Sequence, residues 1–453
     1  MDYNVEEIQK QVFLLRPALA QIVKQHGRSS LKDYVQKQWE ITGQPPDETF
    51  TDILLAELRT LYGERLARAA AGQLAKKPLV STIEHHGIWN HPIFVNSSLI
   101  YSLAFAAGDL AVALATESVS LNNTSSWTGS LLRRGETGQL KRHSFFPDRQ
   151  KTLPVFSAPA ISLGDVARFQ KANPGFGELV EALDISGAVG PKNFSAQACR
   201  LTLNFWQAVF PSAPKLLYVP LETLVLKYLL TIFQEPKEFL SRLVLTQPGR
   251  RLWREYFGAE HTFLFWAIDP KGRRQAISRL PTAPEELFKL MRRRRVYPSG
   301  PLCFGALLRA GLVCAGGFNQ TTWLAAVKHK LIKLLDRLPG GNEADSAAIA
   351  LVPTKNFAES SLAWLNFKGK YLAPAAADLY FSGRDYYPKY LRLAEKLTLG
   401  QSLSLALPTI YSVVVPKAEQ AAGDLSAVER LVFKDLAMAD LLKAAGLDNS
   451  TLT

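Results

Sequence analysis

One stretch constrains the fold of this chain more than any other: Leu79-Val80-Ser81-Thr82-Ile83-Glu84-His85-His86-Gly87-Ile88-Trp89-Asn90-His91-Pro92. Four of its first five residues are apolar or β-branched, which is the composition of a short buried strand. The run then breaks into a loop that holds three of the chain's seven histidines, a carboxylate, an amide and a glycine. Ile93 to Ala107 follows with helical length and pattern, Gly108-Asp109 closes it, and Leu110 to Ala115 reads as a second strand. Strand, loop, helix, strand predicts a β-α-β unit. Its polar chemistry falls at the carboxyl end of the first strand, where open α/β sheets bind ligands.

The loop allows three readings. In the first, His85, His86, His91 and Glu84 are catalytic: imidazoles stabilise charge that develops on a transferred group and move protons. Asn90 would then contact substrate. In the second, His85, His86 and His91 hold zinc or iron with Glu84. Metal is the lesser of these two, because the spacing fits no established motif and adjacent residues of an extended chain point to opposite faces. In the third, the histidines are structural, capping a helix or bonded in the interior.

The rest of the chain divides into three parts. Residues 1–77 read as a helical segment that packs on the core, with one helix from Val5 to Gln25, a break at Gly43-Gln44-Pro45-Pro46-Asp47, and another from about Glu48 to Leu74. Residues 78–345 carry the α/β core, with an insertion at about 128–260. That insertion begins with a basic hairpin (Arg133, Arg134, Lys141, Arg142, His143). Before it, the turn-prone run Leu121 to Gly129 ends the second strand, and Asn122, Asn123 and Ser126 are candidate substrate-orienting groups. A strand is expected over His261 to Ile268 and a helix over Glu285 to Arg295. Residues 346–453 read as mainly helical (Tyr386 to Leu397, Ala427 to Ala445), with a strand-like run from Thr409 to Val415.

A second place of interest begins at Leu302. The run to Cys314 is apolar, with Arg309 inside it, and reads as a strand; Ala315-Gly316-Gly317-Phe318-Asn319-Gln320-Thr321-Thr322-Trp323 and a helix to Leu338 come next. A strand, a Gly-Gly turn and a helix start would aim backbone N–H groups at an anion. Gly316, Gly317, Asn319, Gln320 and Thr321 are therefore candidate binding residues, with Asn319 or Thr321 as N-cap. Arg309 either neutralises the anion or makes a structural ion pair.

Composition sets outer limits. The 453 residues exceed one ordinary core, and 47% hydrophobic with 21% charged is the balance of a globular chain. The net charge of +13 favours anionic small molecules as partners. Nucleic acid is disfavoured, because the basic quartet Arg292 to Arg295 lacks interleaved aromatics. The cysteines Cys199, Cys303 and Cys314 show no disulfide or zinc spacing. No run is long enough for a membrane helix and the acidic N-terminus has no secretory h-region, so a cytoplasmic location is expected.

Taken together, these features resemble the cysteine-adding enzyme family of bacillithiol biosynthesis. Ser81 to Gly87 stands where that family's first strand ends in a TGQQ-type loop. Leu307-Leu308-Arg309 matches its LLRP segment, and Gly316 to Trp323 with Lys328 matches its GGPGEIAY…QLK segment. The resemblance spans about residues 78–135 and 300–338. It implies an α/β fold with a Rossmann-like parallel-sheet core, related to nucleotidylyltransferases, with helical N- and C-terminal parts and an inserted hairpin and helical region. It further implies a biosynthetic ligase or transferase acting on its own amino-acid or nucleotide-type substrate, with ATP or another nucleotide as the candidate cofactor.

Overall fold

The computed structural model describes residues 5–447 apart from 43, 124–125, 186, 188–192, 259–263, 278–279, 341–342, 369 and 421–424. The protein is mixed α/β. Four strands form a parallel sheet: β1 (Leu79–Ser81), β2 (Leu110–Ala115), β3 (Lys215–Pro220) and β4 (Val313–Ala315). Their spatial order is β3-β2-β1-β4. Register is tight, with Val80 opposite Cys314, Ser81 opposite Ala113, and all six residues of β2 paired to β3.

The two-residue side-chain period of a strand divides the interior into two cores. Leu79, Ala111, Ala113, Leu216, Tyr218 and Val313 face one of them, and Val80, Val112, Leu114, Leu217, Val219 and Cys314 face the other. Helices α1 (Pro92–Ser102) and α2 (Phe194–Val209) cover the first face. Helices α3 (Leu221–Ile232), α4 (Gly300–Arg309) and α5 (Phe318–Arg337) cover mainly the second. The chain therefore winds β1-β2-β3 over one face, crosses over, and returns on the other to lay β4 beside β1. That reversal opens a crevice beyond the carboxyl ends of β1 and β4.

Several elements differ from expectation for identifiable reasons. The first helix is two, Val5–Leu15 and Pro17–His26, because Pro17 supplies no N–H to continue the first. The second divides at Gly63, whose φ is +84°. The C-terminal helix likewise divides, into Leu425–Asp435 and Met438–Ala444. The apolar run from Leu302 is not a strand but helix α4 followed by the short β4, with Gly311 (φ +76°) turning between them. Thr409 to Val415 is not a strand either: Thr409 to Val414 closes the helix Leu399–Val414. The sheet's edge strand β3 lies inside the stretch read as an insertion. The hairpin is present as Ser130–Arg134 paired with Leu140–Ser144. Of the strand expected over His261 to Ile268, Phe265–Ile268 is described, and 261–263 lie outside the described residues. No helix among the described residues is long and apolar enough to cross a membrane.

Candidate functional site

Backbone pairing carries β1 and β2 past their strand ends. Thr116 N–H donates to Glu84 O at 3.0 Å, and His86 N–H donates to Thr116 O at 2.8 Å. In this extended segment adjacent side chains point to opposite sides, and the histidines separate accordingly. His86 is fully buried; its Nε2 lies 2.7 Å from Ser195 O on α2. A carbonyl accepts only, so Nε2 carries the proton. His85 Nδ1 lies 3.1 Å from Ser126 Oγ, and its ring packs against Phe94. His91 is the N-cap of α1, with Nδ1 accepting from Ile93 N–H at 3.3 Å. Burial lowers all three imidazoles to about 4. His85 and Arg134 add to the effect at His91.

Glu84 is also interior, accepting from Ser81 Oγ at 2.5 Å and Ser98 Oγ at 3.2 Å, and burial raises its pKa. Asn90 donates through Nδ2 to Ser130 O at 3.1 Å. Ser126 contacts His85 and Asn123, while Asn122 is exposed at the turn. The catalytic quartet thus does not converge. His86 and Glu84 serve the interior, and His91 lines the cavity between the strand ends. The three-histidine metal site is corrected for the same reason: His86 is fully buried with its Nε2 on Ser195 O, apart from the cavity that His91 lines. Among the described residues no group of three or more metal-ligating side chains is placed to hold an ion.

At the end of β4 the anion cradle is occupied by the chain itself. Gly317 is the N-cap of α5, so Asn319 and Thr321 lie within the helix rather than capping it. The Glu359 carboxyl takes the helix N-terminus, accepting from Phe318 N–H at 3.1 Å. A Cβ on Gly317 would fall 2.1 Å from Glu359 Oε2, so glycine is what admits the carboxyl. Asn319 Oδ1 accepts from Arg16 Nε at 2.9 Å, Thr321 Oγ1 donates to Phe318 O at 3.3 Å, and Gln320 bonds Thr82 Oγ1. Gly316 pairs with the segment Asn356–Ala358, which carries Glu359 into place. Asn96 fixes the next residues on α1, its Oδ1 accepting from Leu362 N–H and Ala363 N–H, each at 2.6 Å.

Arg309 lies at the other end of β4 and does not face Gly316. Its Nε bonds Glu238 at 2.7 Å and its Nη1 bonds Asp47 at 2.9 Å. Both carboxylates are helix N-caps, so Arg309 clamps two helix starts to the end of α4. Arg309→Met leaves Glu238 partly buried and unpaired. A loss of about 2 kcal/mol in urea unfolding is expected, below the range for fully buried pairs because these groups keep some solvent contact.

A cavity of about 250 Å³ fills the crevice between the β1 and β4 ends. Its polar lining includes His91, Arg134, Glu359 and Glu429. Arg134 comes from the hairpin, and its guanidinium is aimed by the carbonyls of Ala373 (3.0 Å) and Gly138 (2.6 Å). Burial raises Glu359 to about 8, so at neutral pH it is mainly the uncharged acid. Burial also raises Glu429, against the opposing pull of Arg134. His91 is neutral, and because Nδ1 accepts from Ile93, the ring proton is on Nε2. The cavity therefore presents donors: an imidazole N–H, a carboxylic O–H and a fixed guanidinium. A hydrocarbon-lined void of ~150 Å³ holds benzene, so this one has room for a small metabolite.

His91, a candidate from the sequence, lines this cavity; Arg134 and Glu429, which line it too, were not candidates, and Glu359 carried no signal. Arg134 had one available signal, a cation on a strand otherwise apolar up to Leu132. Sequence reading also missed a second carboxyl pair at the ends of β2 and β3. Glu222 accepts from Glu117 N–H at 2.8 Å, and Glu117 accepts from Thr223 N–H at 2.7 Å and Ser195 Oγ at 2.6 Å. Both are buried, which raises both pKa values, Glu117 further through the neighbouring Glu222 charge. Their mutual backbone bonds tie β2 to α3.

Compared with protein-family models, curated proteins and solved structures, the chain matches none, so nothing outside it links it to the bacillithiol-related family that its motifs resemble.

Proposed function

We propose that this chain is a Rossmann-like enzyme of ligase or transferase type, and that it activates a carbonyl or carboxyl group of a small anionic molecule. The observation that carries the reading is the convergence of one charged donor, Arg134, and two neutral ones, His91 and Glu359, on one cavity in the crevice at the strand reversal. Arg134 pairs with the substrate's carboxylate. The neutral His91 Nε2–H and the Glu359 acid face the oxygen on which charge develops. A nucleophile's lone pair forms the new bond to carbon, the carbonyl π pair moves to oxygen, and Glu359 protonates that oxygen. Glu429 takes the proton the nucleophile loses. The adduct then collapses, Glu359 taking its proton back as the carbonyl re-forms and the bond to the leaving group breaks, and Glu429 giving its proton to the departing group.

Wild type is expected to gain thermal stability from at least one member of a panel of two- to six-carbon carboxylic and amino acids. Arg134→Met should weaken that acid's binding at least tenfold in calorimetry, with Arg134→Lys recovering part of it. A panel that stabilises nothing, or stabilises Arg134→Met equally, removes the reading.

A further inference from the structure

A second cavity, of about 590 Å³, lies against the basic hairpin. Arg133, Arg134, Lys141, His143 and Lys368 contribute to its wall. The hairpin register puts Arg133 directly opposite Lys141, and Leu131 opposite His143 two residues along, so the three basic groups share one face of the ribbon. Like charges directly opposed destabilise a β-ribbon, and here nothing from the hairpin itself relieves them. Arg133 is also held in place, with its guanidinium 4.1 Å from the Phe381 ring centre and 6.0 Å from that of Phe176. His143 Nδ1 is tied to Asn173 Oδ1 at 2.6 Å.

Two carboxylates reach the same cavity, and they offset these cations only in part. Asp378 uses one oxygen to accept from Arg134 N–H and the other to accept from Ala375 N–H, each at 2.8 Å. Glu136 is exposed at the hairpin turn. Arg133, Lys141 and Lys368 outnumber the two carboxylates, and Arg134 borders the cavity from the ribbon's other face, so the wall keeps a net positive charge. A phosphomonoester carries the opposite sign, about −1.5 to −2 at neutral pH.

We infer that this cavity binds the phosphate of a phosphorylated small molecule, with Arg133 and Lys141 on the phosphate and the rings of Phe176 and Phe367 against the rest of the ligand. Convergence argues for a small molecule over a nucleic-acid strand: the cations line one cavity instead of following a groove. The inference does not depend on the chemistry proposed for the first cavity, although Arg134 lines both.

The test is calorimetry at low salt with adenosine 5′-monophosphate, inorganic phosphate, adenosine and a single-stranded RNA 20-mer. Lys141→Gln/Lys368→Gln alters two exposed side chains, so its fold is expected to persist, checked by circular dichroism. Arg292→Gln/Arg293→Gln removes the same charge from an exposed site elsewhere. The expected result is that the monophosphate and phosphate bind and adenosine does not. Affinity should fall at least tenfold in Lys141→Gln/Lys368→Gln and hold in Arg292→Gln/Arg293→Gln and in His91→Ala. Equal binding of adenosine and its monophosphate overturns the inference. So does binding that both charge-removal variants weaken alike, or a preference for the RNA over the monophosphate.

Discussion

Gly87→Ala is expected to destabilise the protein by about 3 kcal/mol or more, combining backbone strain with overpacking. Gly87 has φ +149°, and a Cβ there would sit 2.4 Å from Thr128 Cβ and 2.6 Å from Thr128 O. Those atoms cannot retreat, because Thr128 O is already accepting from Ile88 N–H at 2.9 Å. The Gly87 carbonyl in turn accepts from Thr202 Oγ1 of α2 at 2.9 Å, so a shift spreads to the helix behind the loop. Gly63→Ala is the control. It too has positive φ (+84°), but a Cβ there meets nothing within 4 Å, and a loss of ~1 kcal/mol is expected. Urea unfolding of the two variants separates the clash from the dihedral. Equal losses would mean that the contact with Thr128 is not what requires glycine.

Glu359→Gln should change how stability depends on pH, more than stability at any one pH. In the folded protein burial raises Glu359 from the ordinary 4.5 to about 8. Between those values the folded state holds a proton that the unfolded chain releases. The stability it contributes is therefore complete below pH 4.5, declines as pH rises, and is gone above pH 8. The slope is roughly 1.4 kcal/mol per pH unit across that window. Glutamine is neutral at every pH and can still accept from Phe318 N–H, so the variant lacks this decline. It should be close to wild type at pH 5 and more stable than wild type by a few kcal/mol at pH 9. Glu84, Glu117, Glu222 and Glu429 are raised by burial as well, but they contribute to both proteins, so the difference isolates Glu359. Parallel pH profiles would show that Glu359 is ionised in the native state.

The fold was legible where one residue pattern had one interpretation. Leu110 to Ala115 is an apolar run bounded by Gly108-Asp109, and it is β2 to the residue. The apolar run from Leu302 misled because α4 is buried on every side, from Pro301 to Leu308, and a helix with no polar face looks like a buried strand. Thr409 to Val414 are β-branched-rich yet helical: Ile410 and Tyr411 bury one side of the turn while Thr409, Ser412 and Val413 stay exposed, and that one-sided packing overrides intrinsic preference. β3 is six residues between two helices and ends in a proline, so its apolar run merged with theirs.

The site was legible only as a place. The crevice followed from the strand-loop-helix order, and His91 was named only as one of three histidines in the loop. What His86 and Glu84 do depended on Ser195 and Ser98, and chemistry-bearing residue types do not reveal whether a partner carbonyl or hydroxyl already holds them. Glu359 was invisible because its partner, Phe318 N–H, is 41 residues away and reached through a loop segment with no periodic signal.

The most direct test of the central claim is the nitrogen spectrum of the histidine rings, with and without the carboxylic acid that stabilises the protein best. Wild type is compared with His91→Asn to assign the signals. At pH 6 His91 is expected to be neutral with its proton on Nε2, and that nitrogen to shift when the acid binds while His86 stays unmoved. A His91 ring protonated on both nitrogens at pH 6, or an acid that moves His86 and leaves His91 unchanged, would contradict the claim.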